Sequence, residues 1–96
     1  MSYQGATKTT MEEKTLIQER LNGYCLRSLT SGEEFPLVDE ILVGREAECQ
    51  IPLNSGHISR YHAKLTLTPN GVMVEDLRST NGTFINGRRI SSPQMV

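Results

Sequence analysis

Four of the five asparagines in this 96-residue chain, at positions 22, 70, 81 and 86, stand directly before a glycine. That pairing constrains the fold more than any other feature. Asn-Gly adopts positive φ at little steric cost and so favours the tight turns of β-hairpins over helices. Two such pairs fall close together in Arg78-Ser-Thr-Asn-Gly-Thr-Phe-Ile-Asn-Gly-Arg-Arg89. Turns on either side of Thr83, Phe84 and Ile85 would hold Thr80 and Asn81 at a loop tip.

The segments between the turns read as strands. Residues 24–29 and 34–38 flank Ser31-Gly32, a hairpin pattern. Ile41, Leu42 and Val43 form a short apolar run halted by Gly44. From His62 to Thr68 the pattern alternates, with Ala63, Leu65 and Leu67 on one face and Lys64, Thr66 and Thr68 on the other. Pro69-Asn70-Gly71 is a turn, and Val72 to Val74 begins the returning strand. Short strands divided by turns at this spacing predict an all-β antiparallel sandwich. With 5% aromatic residues and no Trp, its core must be aliphatic. The length allows one domain, expected over residues 21–96. Residues 1–15 are polar, threonine-rich and without periodicity, and Met11 to Gly23 has apolar positions for about two helical turns at most. Residues 1–20 are therefore expected to be a flexible lead.

Loops at one end of a sandwich carry function while strands carry stability. Three stand out, at 44–48, 54–60 and 78–82. They combine hydroxyl, amide and guanidinium donors, and Glu46 and Glu48 beside Arg45 are their only carboxylates. Such a set suits an oxyanion, with Arg giving charge-assisted bonds and Ser, Thr and Asn fixing orientation. Taken alone, Arg45 could equally be a solvated charge paired with Glu46 or Glu48.

Other classes fit poorly. The formal charge of −1 gives no bulk attraction to nucleic acid or anionic membrane. It covers an asymmetry: residues 41–96 carry six basic and four acidic side chains, residues 1–40 four basic and seven acidic. Cys25 and Cys49 lack metal-ligand spacing and read as reduced thiols. No phosphate loop, nucleophile elbow or HExxH motif is present, and His57 and His62 are five apart, the wrong offset for paired ligands on a helix. Ser59 with His62 lacks a visible third group to orient the imidazole. No enzyme activity, metal or cofactor is implied. The N-terminus has neither the basic start nor the apolar stretch of a signal peptide, so a cytoplasmic location is expected.

The order of motifs is recognisable. Gly44-Arg45, Ser59-Arg60-Tyr61-His62-Ala63, Asp76-Leu77-Arg78-Ser79-Thr80-Asn81-Gly82-Thr83 and Asn86-Gly87, spread over Ile41 to Ile90, together resemble the forkhead-associated (FHA) domain. The resemblance implies a β-sandwich module that binds phosphothreonine in partner proteins, a mode in which arginine clusters read phosphorylated motifs. By that resemblance Arg45 would contact the phosphate, Ser59 would donate its hydroxyl to it, and Arg60 would add a backbone or side-chain contact. Thr80 would line the site and Asn81 would bond the peptide main chain. Gly44, His62, Gly82, Asn86 and Gly87 would be architectural, with His62 bracing the Ser59 loop. Arg78, Arg88 and Arg89 read as rim charges that steer an acidic peptide.

The alternative function is a phosphate-independent assembly module on the same fold. Bacterial proteins with such domains use them beside Ser/Thr-kinase signalling and secretion assemblies. Members of the family usually continue past the position of Ile90 through a Gly-Asp turn into further strands. Here Ser91 to Val96 follows, and Pro93 makes it a poor strand. The chain is therefore expected to lack its last C-terminal strands and to leave an open sheet edge, available for self-association.

Overall fold

A computed structural model describes residues 9–10, 15–20, 23–29, 31–53 and 56–96 of the chain. Eleven strands run in chain order among them: β1 (Thr9–Thr10), β2 (Thr15–Arg20), β3 (Gly23–Ser28), β4 (Glu34–Pro36), β5 (Glu40–Gly44), β6 (Ile51–Pro52), β7 (Ala63–Thr68), β8 (Gly71–Asp76), β9 (Phe84–Ile85), β10 (Arg88–Arg89) and β11 (Gln94–Met95). A five-stranded sheet has the order β11-β8-β7-β5-β6, and three-stranded sheets have the orders β2-β3-β4 and β1-β9-β10. Pairing is antiparallel except between β5 and β6, which run parallel. Among the described residues no helix is long and apolar enough to cross a membrane.

The core joins two of these sheets. Ile17 on β2 lies directly across from Leu26 on β3. Both pack in one cluster with Ile41 and Val43 of β5, Leu65 of β7 and Val72 and Val74 of β8. Ile17, Leu26, Val43, Val72 and Val74 are all at most 1% exposed. Each such side chain contributes roughly 1.5–3 kcal/mol by leaving water. In β7, Ala63 and Leu65 face the core as the alternation predicts, whereas Leu67 at the strand's far end is exposed.

Two expectations about the ends are corrected. Thr15 to Arg20 is neither helix nor flexible lead: it is paired residue for residue with Gly23 to Ser28. Thr15 and Ile17 alternate inward, and burying Ile17 against Leu26 outweighs the helix propensity of the Glu and Gln nearby. Thr9 and Thr10 likewise pair with Ile85 and Phe84; positions 1–8 and 11–14 lie outside the described residues. At the other end, Pro93 does not prevent a strand. It stands one residue before β11, whose Gln94 and Met95 pair with Val74 and Met73. Val72 and Val96 exchange backbone hydrogen bonds of 3.2 and 2.8 Å. The residues after Ile90, expected to form no strand, thus pair with the edge of β8.

Candidate functional site

The three donor-rich loops meet at one end of the five-stranded sheet, where Gly44 brings the first two together. A Cβ on Gly44 would clash with the Arg60 carbonyl oxygen and lie 3.0 Å from Cys49 Sγ, so a larger residue would force the loops apart. Beside it, the Arg45 N–H donates to the Ser59 carbonyl at 3.0 Å and the Glu46 N–H to the Arg60 carbonyl at 3.2 Å. The Cys49 thiol also donates to the Arg60 carbonyl, at 3.6 Å. Burial, then the nearby Glu48 carboxylate, pushes the Cys49 pKa up, which keeps it a neutral packing residue.

Arg45 and Arg60 are themselves exposed, and among the described residues neither pairs with a carboxylate. The pairing of Arg45 with Glu46 or Glu48 that the sequence leaves open is not made. Glu48 instead lies close to the Tyr61 hydroxyl, and that proximity is the main cause of a raised Tyr61 pKa.

His62 joins the second loop to the third. Fully buried, its Nδ1 accepts the Ser59 N–H at 3.1 Å, so Nε2 carries the proton and donates to the Gly82 carbonyl at 2.9 Å. Two further bonds cross the same gap. The Thr80 N–H donates to Ser59 Oγ at 3.0 Å, and Asn81 Nδ2 donates to the His57 carbonyl at 2.9 Å. Asn54 and Ser55, at the start of the second loop, lie outside the described residues.

The third loop is built on Asp76, a residue with no assigned role in the sequence reading. Asp76 Oδ1 accepts from the hydroxyls of Ser79 and Thr83, and Oδ2 accepts the Ser79 N–H at 3.1 Å. The Ser79 oxygen in turn accepts the Gly82 N–H at 3.0 Å. Burial pushes the Asp76 pKa up, but the Ser79 and Thr83 hydroxyls and the Ser79 N–H outweigh it and hold the carboxyl below its ordinary value. Asp76, Ser79 and Thr83 were thus missed as the frame of the site. The available signal was an Asp three residues before a Ser in a Gly-containing turn, the pattern of a side chain capping its own loop.

The two Asn-Gly pairs differ. Asn86 and Gly87 both have positive φ, 51° and 83°, and form the two-residue turn between Ile85 and Arg88. At Asn81-Gly82 only the glycine does, at 92°, and Arg78 supplies the loop's other positive φ, 58°. Asn81-Gly82 is therefore the close of the Asp76-capped loop and not a hairpin turn.

The arrangement leaves a specific set of donors and acceptors. Ser59 Oγ uses its oxygen to accept from Thr80, and among the described residues its hydroxyl hydrogen has no acceptor. Asn81 spends its amide N–H on His57 and retains Oδ1. The exposed side chains of Arg45, Arg60 and Thr80 complete the rim.

The FHA domain model matches residues 41–96, more than half of the sequence, and the chain belongs to the FHA domain family. The transcriptional regulatory protein EmbR of Mycobacterium tuberculosis is 31% identical over 87 residues, which is 90% of this chain and 22% of EmbR. A solved structure of M. tuberculosis EmbR in complex with a low-affinity phosphopeptide has a TM-score of 0.71 at 30% identity, over 81% of this chain and 22% of that one. The FHA domain of the CT664 protein from Chlamydia trachomatis has a TM-score of 0.64 at 36% identity, over 68% of this chain and 69% of its own. The chain thus spans about a fifth of the curated relative it matches here.

Proposed function

We propose that this chain is a phosphopeptide-binding module that recognises phosphothreonine in cytoplasmic partner proteins, for signalling or assembly, without catalysis of its own. One observation carries the reading. Ser59 Oγ is held by the Thr80 N–H, and among the described residues its remaining hydrogen has no acceptor, beside an Arg45 backbone bonded to the Ser59 carbonyl. A phosphate carries nearly two negative charges and three strong acceptor oxygens. Arg45 supplies the countercharge, Ser59 a hydroxyl bond and Arg60 a further cation. Thr80 lines the pocket, and Asn81 Oδ1 accepts from the peptide main chain. His62, Gly44 and the Asp76 cluster keep these groups in register, so little ordering entropy remains to be lost on binding.

Membership of a family whose relative EmbR has been solved with a phosphopeptide supports the same assignment. The test is amide chemical-shift mapping with a phosphothreonine peptide and its unphosphorylated twin. The expected result is shifts centred on Arg45, Ser59, Thr80 and Asn81, seen only with the phosphorylated form. Equal shifts with both forms, or a footprint on the β2-β3-β4 sheet, would favour the phosphate-independent assembly role.

A further inference from the structure

The Asn86-Gly87 turn folds β10 back towards the loop that ends at Gly82, and one of its two arginines lies across that loop. A Cβ on Gly82 would be 2.7 Å from Arg89 Nε, 3.0 Å from Cζ and 3.2 Å from Cδ. The distal part of the Arg89 side chain therefore runs over the Gly82 α-carbon, one residue from Asn81. Gly82 has φ of 92° and no side chain, so the guanidinium rests directly on the main chain.

The cations near the site differ in what faces them. Lys64 is held by Glu40 at 3.4 Å and Glu75 at 3.5 Å. Arg78 lines a cleft of about 230 Å³ together with Glu75 and Asp76, so carboxylates share its surroundings. Among the described residues, Arg89 has no ion-pair partner. Its neighbour Arg88 sits one strand position away and so points to the opposite face. Among the described residues Arg89 is thus a cation without a facing carboxylate, held against backbone, at the edge of the surface that Asn81 offers.

We propose that Arg89 is a specificity-determining residue, selecting peptides with a carboxylate side chain near the phosphothreonine. The proposal rests on the phosphopeptide reading and names the kind of peptide it takes. An extended peptide advances about 3.3 Å per residue, so the acidic side chain lies within roughly three residues of the one bonded by Asn81. A planar guanidinium already held flat loses less freedom on pairing than a solvated lysine.

The experiment titrates phosphothreonine peptides, each with one Asp scanned through the flanking positions of an otherwise alanine sequence. The proteins are the full chain, Arg89→Gln, Arg89→Lys and Arg88→Gln, with melting curves to confirm folding. The expected gain from Asp at one position is about two- to fivefold for a partly exposed pair. Arg89→Gln should abolish that gain and Arg89→Lys should reduce it. Arg88→Gln removes the same net charge and should leave it intact. An Asp gain that survives Arg89→Gln, or no gain at any position while phosphate dependence persists, overturns the role of Arg89 alone. Equal binding of phosphorylated and unphosphorylated peptides overturns the underlying reading and this proposal with it.

Discussion

Replacing Asp76 by Ala should destabilise the whole domain, although Asp76 touches no ligand. Its carboxylate accepts three hydrogen bonds, from the hydroxyls of Ser79 and Thr83 and the N–H of Ser79. Thr83 is 0% exposed and Ser79 6% exposed, so their hydroxyls have little access to water as a replacement partner. Stranding one buried polar group costs on the order of 1–3 kcal/mol. Partial relaxation of the loop leaves a total of about 2–4 kcal/mol. For a domain of this size, 1 kcal/mol corresponds to about 4–8 °C, so the melting temperature should fall by roughly 10–25 °C.

The effect has a defined pH dependence. The folded-state pKa of Asp76 is depressed, so its stabilisation is fully present above the unfolded value near about 3.9 and is lost as pH falls through the folded pKa. Thermal unfolding followed by circular dichroism should show the full gap between parent and Asp76→Ala at pH 7, closing only below about pH 4. A variant melting within about 2 °C of the parent at pH 7, or a gap independent of pH down to full protonation, would refute this account of the loop.

Other outcomes follow from the same structure. Ile17→Ala should cost about 2–5 kcal/mol in denaturant unfolding, because Ile17 is 1% exposed and faces Leu26; a loss under about 0.5 kcal/mol would remove β2 from the core. Ser59→Ala deletes both the acceptor for Thr80 and the proposed phosphate donor, and should weaken phosphopeptide affinity about tenfold with the fold preserved. Phosphoserine peptides should bind more weakly than phosphothreonine ones, as titration with matched peptides would reveal, because losing the methyl group removes apolar area that binding would take from water.

What the sequence discloses and conceals follows the range of the forces involved. The Asn86-Gly87 turn and the β7 alternation are local, set by backbone sterics and period-two burial, and both are legible. The meeting of Arg45, Ser59, Thr80 and Asn81 at one end is legible only through the order of motifs, since these residues are far apart in the chain. The β2 strand is not legible, because Glu and Gln around Leu16 and Ile17 favour a helix until β3 offers a pairing edge. The β11 strand is hidden by Pro93, whose missing N–H matters only within a ladder, and the ladder begins one residue later. For Asp76 the sequence holds only the Asp-to-Ser spacing of a capped loop, and the placement of Arg89 is found only in three dimensions. Nothing in a one-dimensional pattern shows which hydroxyls converge on a carboxylate, or that a turn lays a guanidinium over Gly82.

The central claim is that this end of the sandwich binds phosphothreonine through Arg45 and its neighbours. Calorimetric titration of one phosphothreonine peptide and its unphosphorylated twin, against the parent and Arg45→Ala, tests it most directly. A charge-assisted bond to phosphate contributes on the order of 1.5–3 kcal/mol. The account predicts binding that requires the phosphate and weakens roughly tenfold to a hundredfold in Arg45→Ala, with the melting temperature unchanged. Equal affinity for the two peptides, or a folded Arg45→Ala variant that binds as tightly as the parent, would contradict it.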